Sequence, residues 1–211
     1  AGILEIGPID GKAGQRIVIR HGELVQNDEL YTGNLRTAKQ TLDYTCRDGI
    51  QTYRPEFTYM GFQYVAVTGM EVTEENLAAW DIYSDMEQIG DFSCSDERLN
   101  QFQKNIQTSL KANFVDIPTD CPQRDERCGW TGDIALFAPT AAFNMDIAGF
   151  MNKWLGDLAL VQKAVGVVPS IVPSNGFIRD RKSNFWATVY DQDDAVWGDA
   201  AVLVTWAVYQ S

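Results

Sequence analysis

Between residues 14 and about 91, apolar positions recur with the two-residue period of strands. In QRIVIRHGEL, Ile17 and Ile19 alternate with polar neighbours. Residues 41–45 are β-prone, and FQYVAVTG sets Phe62, Tyr64, Ala66 and Thr68 opposite Gln63, Val65 and Val67. Turn signals separate these runs at Gln26-Asn27-Asp28, Gly33-Asn34 and Asp48-Gly49. The pattern predicts part of an antiparallel β-sandwich. Past residue 91 the period lengthens. Ser93 or Ser95 is placed to cap a helix whose first turn holds Asp96 and Glu97, and Leu99, Phe102, Ile106 and Leu110 follow at helical spacing. A second helix is expected from Asp133, broken or kinked near Pro139. A third is expected behind Asp146 as cap, with Ile147, Phe150, Met151, Trp154, Leu155, Leu158 and Val161 on one broad face. So wide a face suits a helix packed on two sides, as in a helical barrel or toroid. The change of period puts a boundary near residue 90, between a β domain over 1–90 and an α domain over 91–211.

Two stretches escape both periods. Residues 166–198 show none, yet hold Phe177, Phe185, Trp186, Tyr190 and Trp197, a content that favours a binding loop over a tether. Residues 116–133, DIPTDCPQRDERCGWTGD, are punctuated by proline and glycine and gather Asp116, Asp120, Asp125, Glu126 and Asp133 beside Arg124, Arg127 and Trp130. Crowded carboxylates disfavour full ionisation, so one of them can keep a proton for a leaving group while the others accept hydrogen bonds. Trp130 offers a flat face for a sugar ring, and the arginines can orient carboxylates or bind hydroxyls. Each residue also has a plain structural reading: Asp120 and Asp133 as helix caps, the arginines in an ion-pair network, and Trp130 in the core.

Composition narrows the field. A formal charge of -12 and a pI near 4.4 argue against nucleic acid as a partner, and an uncharged ligand suits this balance. No apolar run approaches the roughly 20 residues of a membrane span, and AGILEIGPIDG lacks the features of a secretory signal. At the other end, DAAVLVTWAVYQS enters a helical pattern and stops without a capping signal, which reads as a fragment of a longer chain. Cys46, Cys94, Cys121 and Cys128 form no CxxC pair, and His21 is the one histidine, so a structural zinc site is not expected. Buried free thiols favour a reducing compartment such as the cytoplasm. The acidic loop lacks the DxDxDG spacing of a calcium loop, and no metal or cofactor is assigned.

NFVDIPTDCPQRDERCGWTGD, followed by APTAAFNMDIAGFMNKWLGDL and AVWGDAAVLVTW, resembles the catalytic-domain signature of bacterial α-L-rhamnosidases of glycoside hydrolase family 78. LYTGNLRTAKQTLDYTCRDG and YRPEFTYMGFQYVAVTG resemble the end of the β-sandwich domain that precedes the barrel in that family. The resemblance implies the N-terminal part of an (α/α)6 barrel and cleavage of terminal α-L-rhamnose with inversion. It implies Glu126 as general acid, and Asp120, Arg124 and Asp133 as ligands of the rhamnose hydroxyls. Asp125 would support or bind, while Trp130 and Trp197 would wall the sugar. Cys128 stands where members usually carry an aliphatic residue. Inversion also needs a second carboxylate roughly 6.5–9.5 Å from the acid. No segment here matches the family's later glutamate, so the base is expected beyond Ser211 and this fragment alone is expected to be inactive. Helix faces such as Phe150, Trp154 and Leu158 would lack partners and favour homo-oligomers. The alternative is a non-catalytic carbohydrate-binding protein with the same pocket.

Overall fold

The structure, a computed structural model, describes residues 1–173 and 195–211. They divide into two compact units, Ala1–Tyr83 with Cys121–Arg127, and Ser84–Asp120 with Cys128–Ser211. The middle of the acidic loop therefore belongs with the strands, although its flanks belong with the helices.

The first unit is built from two three-stranded antiparallel sheets. One has β1 (Gly2–Gly11) between β6 (Gly49–Tyr53) and β8 (Leu77–Asp81); the other has β2 (Arg16–Gly22) between β5 (Thr41–Thr45) and β7 (Tyr64–Thr68). Leu4, Ile6 and Ile9 from the first sheet and Ile17, Ile19 and Leu42 from the second form a single buried cluster, as in a sandwich. Burial of each such side chain contributes roughly 1.5–3 kcal/mol.

Strand β1 escaped the pattern reading for a physical reason. Its inward positions run Gly2, Leu4 and Ile6, then shift phase to Ile9 and Gly11 across an irregularity in its pairing with β6. A bulge of this kind breaks the period that identifies a strand. In β2 the alternation continues past Ile17 and Ile19, so His21 also points inward and is fully buried. Turn signal Gln26-Asn27-Asp28 joins β3 (Leu24–Gln26) to β4 (Glu29–Tyr31), with Asn27 and Asp28 at φ 54° and 59°, the left-handed pair of a type I′ hairpin.

In the second unit, residues 84–90 run as a strap along the helices. Ser84 N–H donates to Phe114 O at 2.8 Å, Ile89 N–H donates to Asn144 O at 3.0 Å, and Asp146 N–H donates to Glu87 O at 2.8 Å. Helix α1 spans Glu97–Asn113 and is capped by Asp96, whose side chain accepts from Arg98 N–H; neither Ser93 nor Ser95 is the cap. Its apolar stripe is only partly used: Leu110 is buried, but Leu99 is 50% and Phe102 61% exposed. After β9 (Phe114–Val115) and β10 (Ile117–Pro118), helix α2 (Thr131–Asn144) runs on through Pro139. Helix α3 (Ala148–Val165) begins where Asp146 Oδ1 accepts from Ala148 N–H at 3.1 Å, the capping expected of that residue. Among the described residues two further helices follow, α4 (Ala195–Gly198) and α5 (Ala200–Gln210).

The expectation that Phe150, Trp154 and Leu158 lack partners is corrected: Trp154 and Leu158 are buried and Phe150 stacks on Phe114 at 4.7 Å, whereas the exposed apolar helix positions are others, among them Leu136, Phe143, Val202 and Trp206. The buried side chains of α3 share one core with Ile134, Ala138 and Ala141 of α2 and Ala200 and Val204 of α5. The thiols also divide: Cys46 and Cys121 are buried, and Cys94 is exposed.

Candidate active site

Within the first unit, Cys121–Arg127 lies against the loop between β4 and β5. That loop makes a 3-10 turn at Gly33–Leu35, sinks Leu35 into the interior, and places Arg36 at φ 58° and Gln40 at φ 45°. Its far end is fixed by His21, whose backbone N–H donates to Gln40 O at 2.9 Å and whose Nδ1 lies 3.0 Å from the same oxygen. A carbonyl only accepts, so Nδ1 bears the proton. Gln40 Nε2 in turn donates to Gln123 O, and Gln123 Nε2 donates to Glu23 Oε2 at 2.8 Å. Gly61 permits the close approach, since a Cβ there would stand 2.8 Å from both Gln123 Cβ and the Pro122 carbonyl carbon.

Glu126 is gripped by two cations on one oxygen. Arg36 Nη1 donates to Oε2 at 2.6 Å, and Arg124 Nε stands 3.0 Å from the same atom. Arg36 Nε also lies 3.7 Å from Asp125 Oδ1, while Thr37 donates to Asp125 Oδ2 through its hydroxyl and, at 3.2 Å, its N–H. The Thr37 hydroxyl, with smaller help from the Thr37 N–H and Arg36, holds the Asp125 carboxyl below the usual carboxylate range. Donors and a nearby cation thus outweigh desolvation and favour the charged form of Asp125. Arg127 serves the loop's own structure. Its Nη1 donates to Tyr59 O at 3.1 Å and Pro122 O at 3.2 Å, with the guanidinium 4.2 Å above the Tyr59 ring. Left-handed backbone at a residue such as Arg36 costs on the order of 1–3 kcal/mol. A half-exposed ion pair returns only about 0–1 kcal/mol.

Within the second unit, Asp120 closes the base of the loop, its N–H donating to Cys128 O at 3.2 Å and its Oδ1 accepting from Cys128 N–H at 3.0 Å. The GWT segment is knitted to residues 170–172: Thr131 N–H donates to Ser170 O at 2.9 Å, Val172 N–H to Gly129 O at 2.8 Å, and Trp154 Nε1 to Val172 O at 3.0 Å. Asp133 is exposed in the first turn of α2, where the helix dipole favours an anion; the capping position itself is Trp130. Asp120 and Asp133 come together on a cleft of about 360 Å³ that Asn113, Thr119, Phe114 and Phe137 also line. Trp130 and Trp197 are half-buried and not part of that lining; the Trp197 ring rests on Gly132. Phe177, Phe185, Trp186 and Tyr190 of the expected binding loop lie outside the described residues. Among the described residues no cluster of three or more His, Cys, Asp or Glu is arranged to hold a metal ion, and no helix is long and apolar enough to cross a membrane.

Residues 87–211 match the bacterial alpha-L-rhamnosidase 6 hairpin glycosidase domain, and residues 1–83 match the bacterial alpha-L-rhamnosidase concanavalin-like domain. The chain belongs to the bacterial α-L-rhamnosidase family. An α-L-rhamnosidase of Streptomyces avermitilis is 38% identical over 207 residues, which is 96% of this chain and 19% of that protein. One from Formosa agariphila is 36% identical over 207 residues, 94% of this chain and 21% of that protein. The solved native α-L-rhamnosidase of Aspergillus terreus superposes with a TM-score of 0.87 at 40% identity, over 100% of this chain and 24% of its own. The Streptomyces avermitilis α-L-rhamnosidase complexed with L-rhamnose gives 0.83 at 36% identity, over 100% of this chain and 20% of its own. The chain thus spans about a fifth of the length of the relatives it matches. The rhamnosidase motif named Glu126, Arg124 and Asp125. Arg36 and Thr37 were missed, because no local signal marks a partner 90 residues away along the chain.

Proposed function

We propose that the protein containing this chain is an inverting α-L-rhamnosidase that releases terminal α-L-rhamnose from glycosides. The chief support is the match of residues 87–211, which contain Glu126, to the rhamnosidase hairpin glycosidase domain. In this reading residues 91–211 form the first part of an (α/α)6 barrel, and residues 1–90 form part of a β-sandwich. The Glu126 carboxyl gives its proton to the glycosidic oxygen, and the bond from that oxygen to the anomeric carbon breaks with its electron pair going to the aglycone. Water adds from the opposite face and loses a proton to a second carboxylate, proposed to lie beyond residue 211. Asp120, Arg124 and Asp133 bind rhamnose hydroxyls, Asp125 supports them, and Trp130 and Trp197 wall the ring. No metal or cofactor takes part in these steps.

The test uses the full-length protein. Glu126→Gln should lose about 10²–10⁴-fold in rate on a sugar-linked rhamnoside, the range that general acid catalysis supplies. A wild-type rate in that variant would remove Glu126 from the role. Proton NMR of the first product should show β-L-rhamnose; the α anomer appearing first would exclude inversion.

A further inference from the structure

We infer that Arg36, reaching from the loop before β5, is a positioning residue for the proton donor, an inference that rests on Glu126 being the general acid. Arg36 and Arg124 both address Oε2 of Glu126, at 2.6 and 3.0 Å. A carboxyl whose Oε2 is held by two guanidinium groups presents its transferable proton on Oε1, in the orientation those groups set. The grip tightens as the proton leaves, because the charge that develops on the carboxylate forms against cations already in place.

Arg36 is itself over-determined. Its Nε lies beside Asp125 Oδ1, and the next residue, Thr37, binds Asp125 Oδ2 through both hydroxyl and N–H, so the neighbouring pair 36–37 is matched to the neighbouring pair 125–126. Buried Leu35 on one side and the His21–Gln40 contact on the other hold the loop in shape. The left-handed backbone at Arg36 is unfavourable for a residue with a side chain, and an ion pair this exposed does little for stability. Stability alone therefore does not account for the conformation. Strain retained beside a proton donor is accounted for if it aims the guanidinium fork.

The experiment compares two rhamnosides in the full-length enzyme. One has a sugar as leaving group and requires protonation; the other is a dinitrophenyl rhamnoside, whose leaving group departs without it. Arg36→Ala should lower kcat/KM about tenfold to a hundredfold on the first, the scale of a misplaced catalytic group, with less than about threefold loss on the second, by the same leaving-group logic. Arg36→Lys, which keeps the charge but not the fork, should show the same bias at smaller size, and it serves if the alanine variant folds poorly. Glu126→Gln is measured in parallel. Leaving-group dependence in Glu126→Gln but an equal loss on both substrates in the Arg36 variants overturns the positioning role alone. Equal losses in Glu126→Gln as well overturn the acid assignment beneath it.

Discussion

Gly132 holds Trp197 in place, and adding one methyl group tests that. Gly132 is the second residue of α2 and is buried; a Cβ there would stand 2.6 Å from Trp197 Cε2 and 2.8 Å from both Cδ2 and Nε1. Ordinary carbon contacts lie near 3.5–4.0 Å, so the ring must retreat by about 1 Å. Overpacking of this kind costs about 1–3 kcal/mol, while the helix preference of alanine over glycine returns up to about 1 kcal/mol. The net for Gly132→Ala is a loss of about 0–3 kcal/mol by these two terms. Gly149 provides the matched control: it is the second residue of α3, and a Cβ there meets nothing within 4 Å among the described residues. Propensity cancels between the two sites, so the gap between Gly132→Ala and Gly149→Ala isolates the steric cost. For a chain of 211 residues, each kcal/mol moves Tm by about 2–4 °C. Calorimetry should therefore rank Gly149→Ala above wild type and Gly132→Ala at or below it. Equal stabilisation by both substitutions would show that Trp197 does not rest on Gly132. On the proposed function, the displaced ring should also raise KM for the rhamnoside in the full-length enzyme.

Trp154→Phe removes the donor to Val172 O and part of a fully buried ring; an orphaned carbonyl and a small void together should cost about 2–4 kcal/mol in urea unfolding, and a change below about 0.5 kcal/mol would refute the role of that bond. Burial holds the His21 imidazole below its ordinary value of 6.5, against a smaller opposing effect of the Gln40 carbonyl. The unfolded chain then binds a proton that the folded chain resists, so stability should decline as pH falls below 6.5. Chemical denaturation at several pH values checks this, and His21→Gln should flatten the slope in that window; a slope unchanged by the substitution would assign it elsewhere.

The acidic loop shows how much a motif can convey. Its resemblance to the rhamnosidase signature pointed to Glu126 and Arg124, and those two are joined in the structure. Asp120 and Asp133 likewise meet on one cleft. The loop's spacing did not reveal that its middle belongs with the strands or that Asp125 answers to Thr37. Arg127, equal to Arg124 as a candidate in the sequence, turns to carbonyls and a ring. In α1 the period was correct, yet Leu99 and Phe102 stay half-exposed or more, because a stripe reports where a helix would bury itself and not what covers it.

Element type, turn positions and the chemical character of the loop were determined by the sequence alone, since each depends on backbone geometry and residue preference over a few neighbours. Only the tertiary structure decided that β1 is a central strand, that His21 is buried, and that Arg36 reaches Glu126 across 90 residues of chain. Those outcomes arise where loop closure brings distant segments together. The free energy of such closure belongs to the whole packed unit and to no window within it.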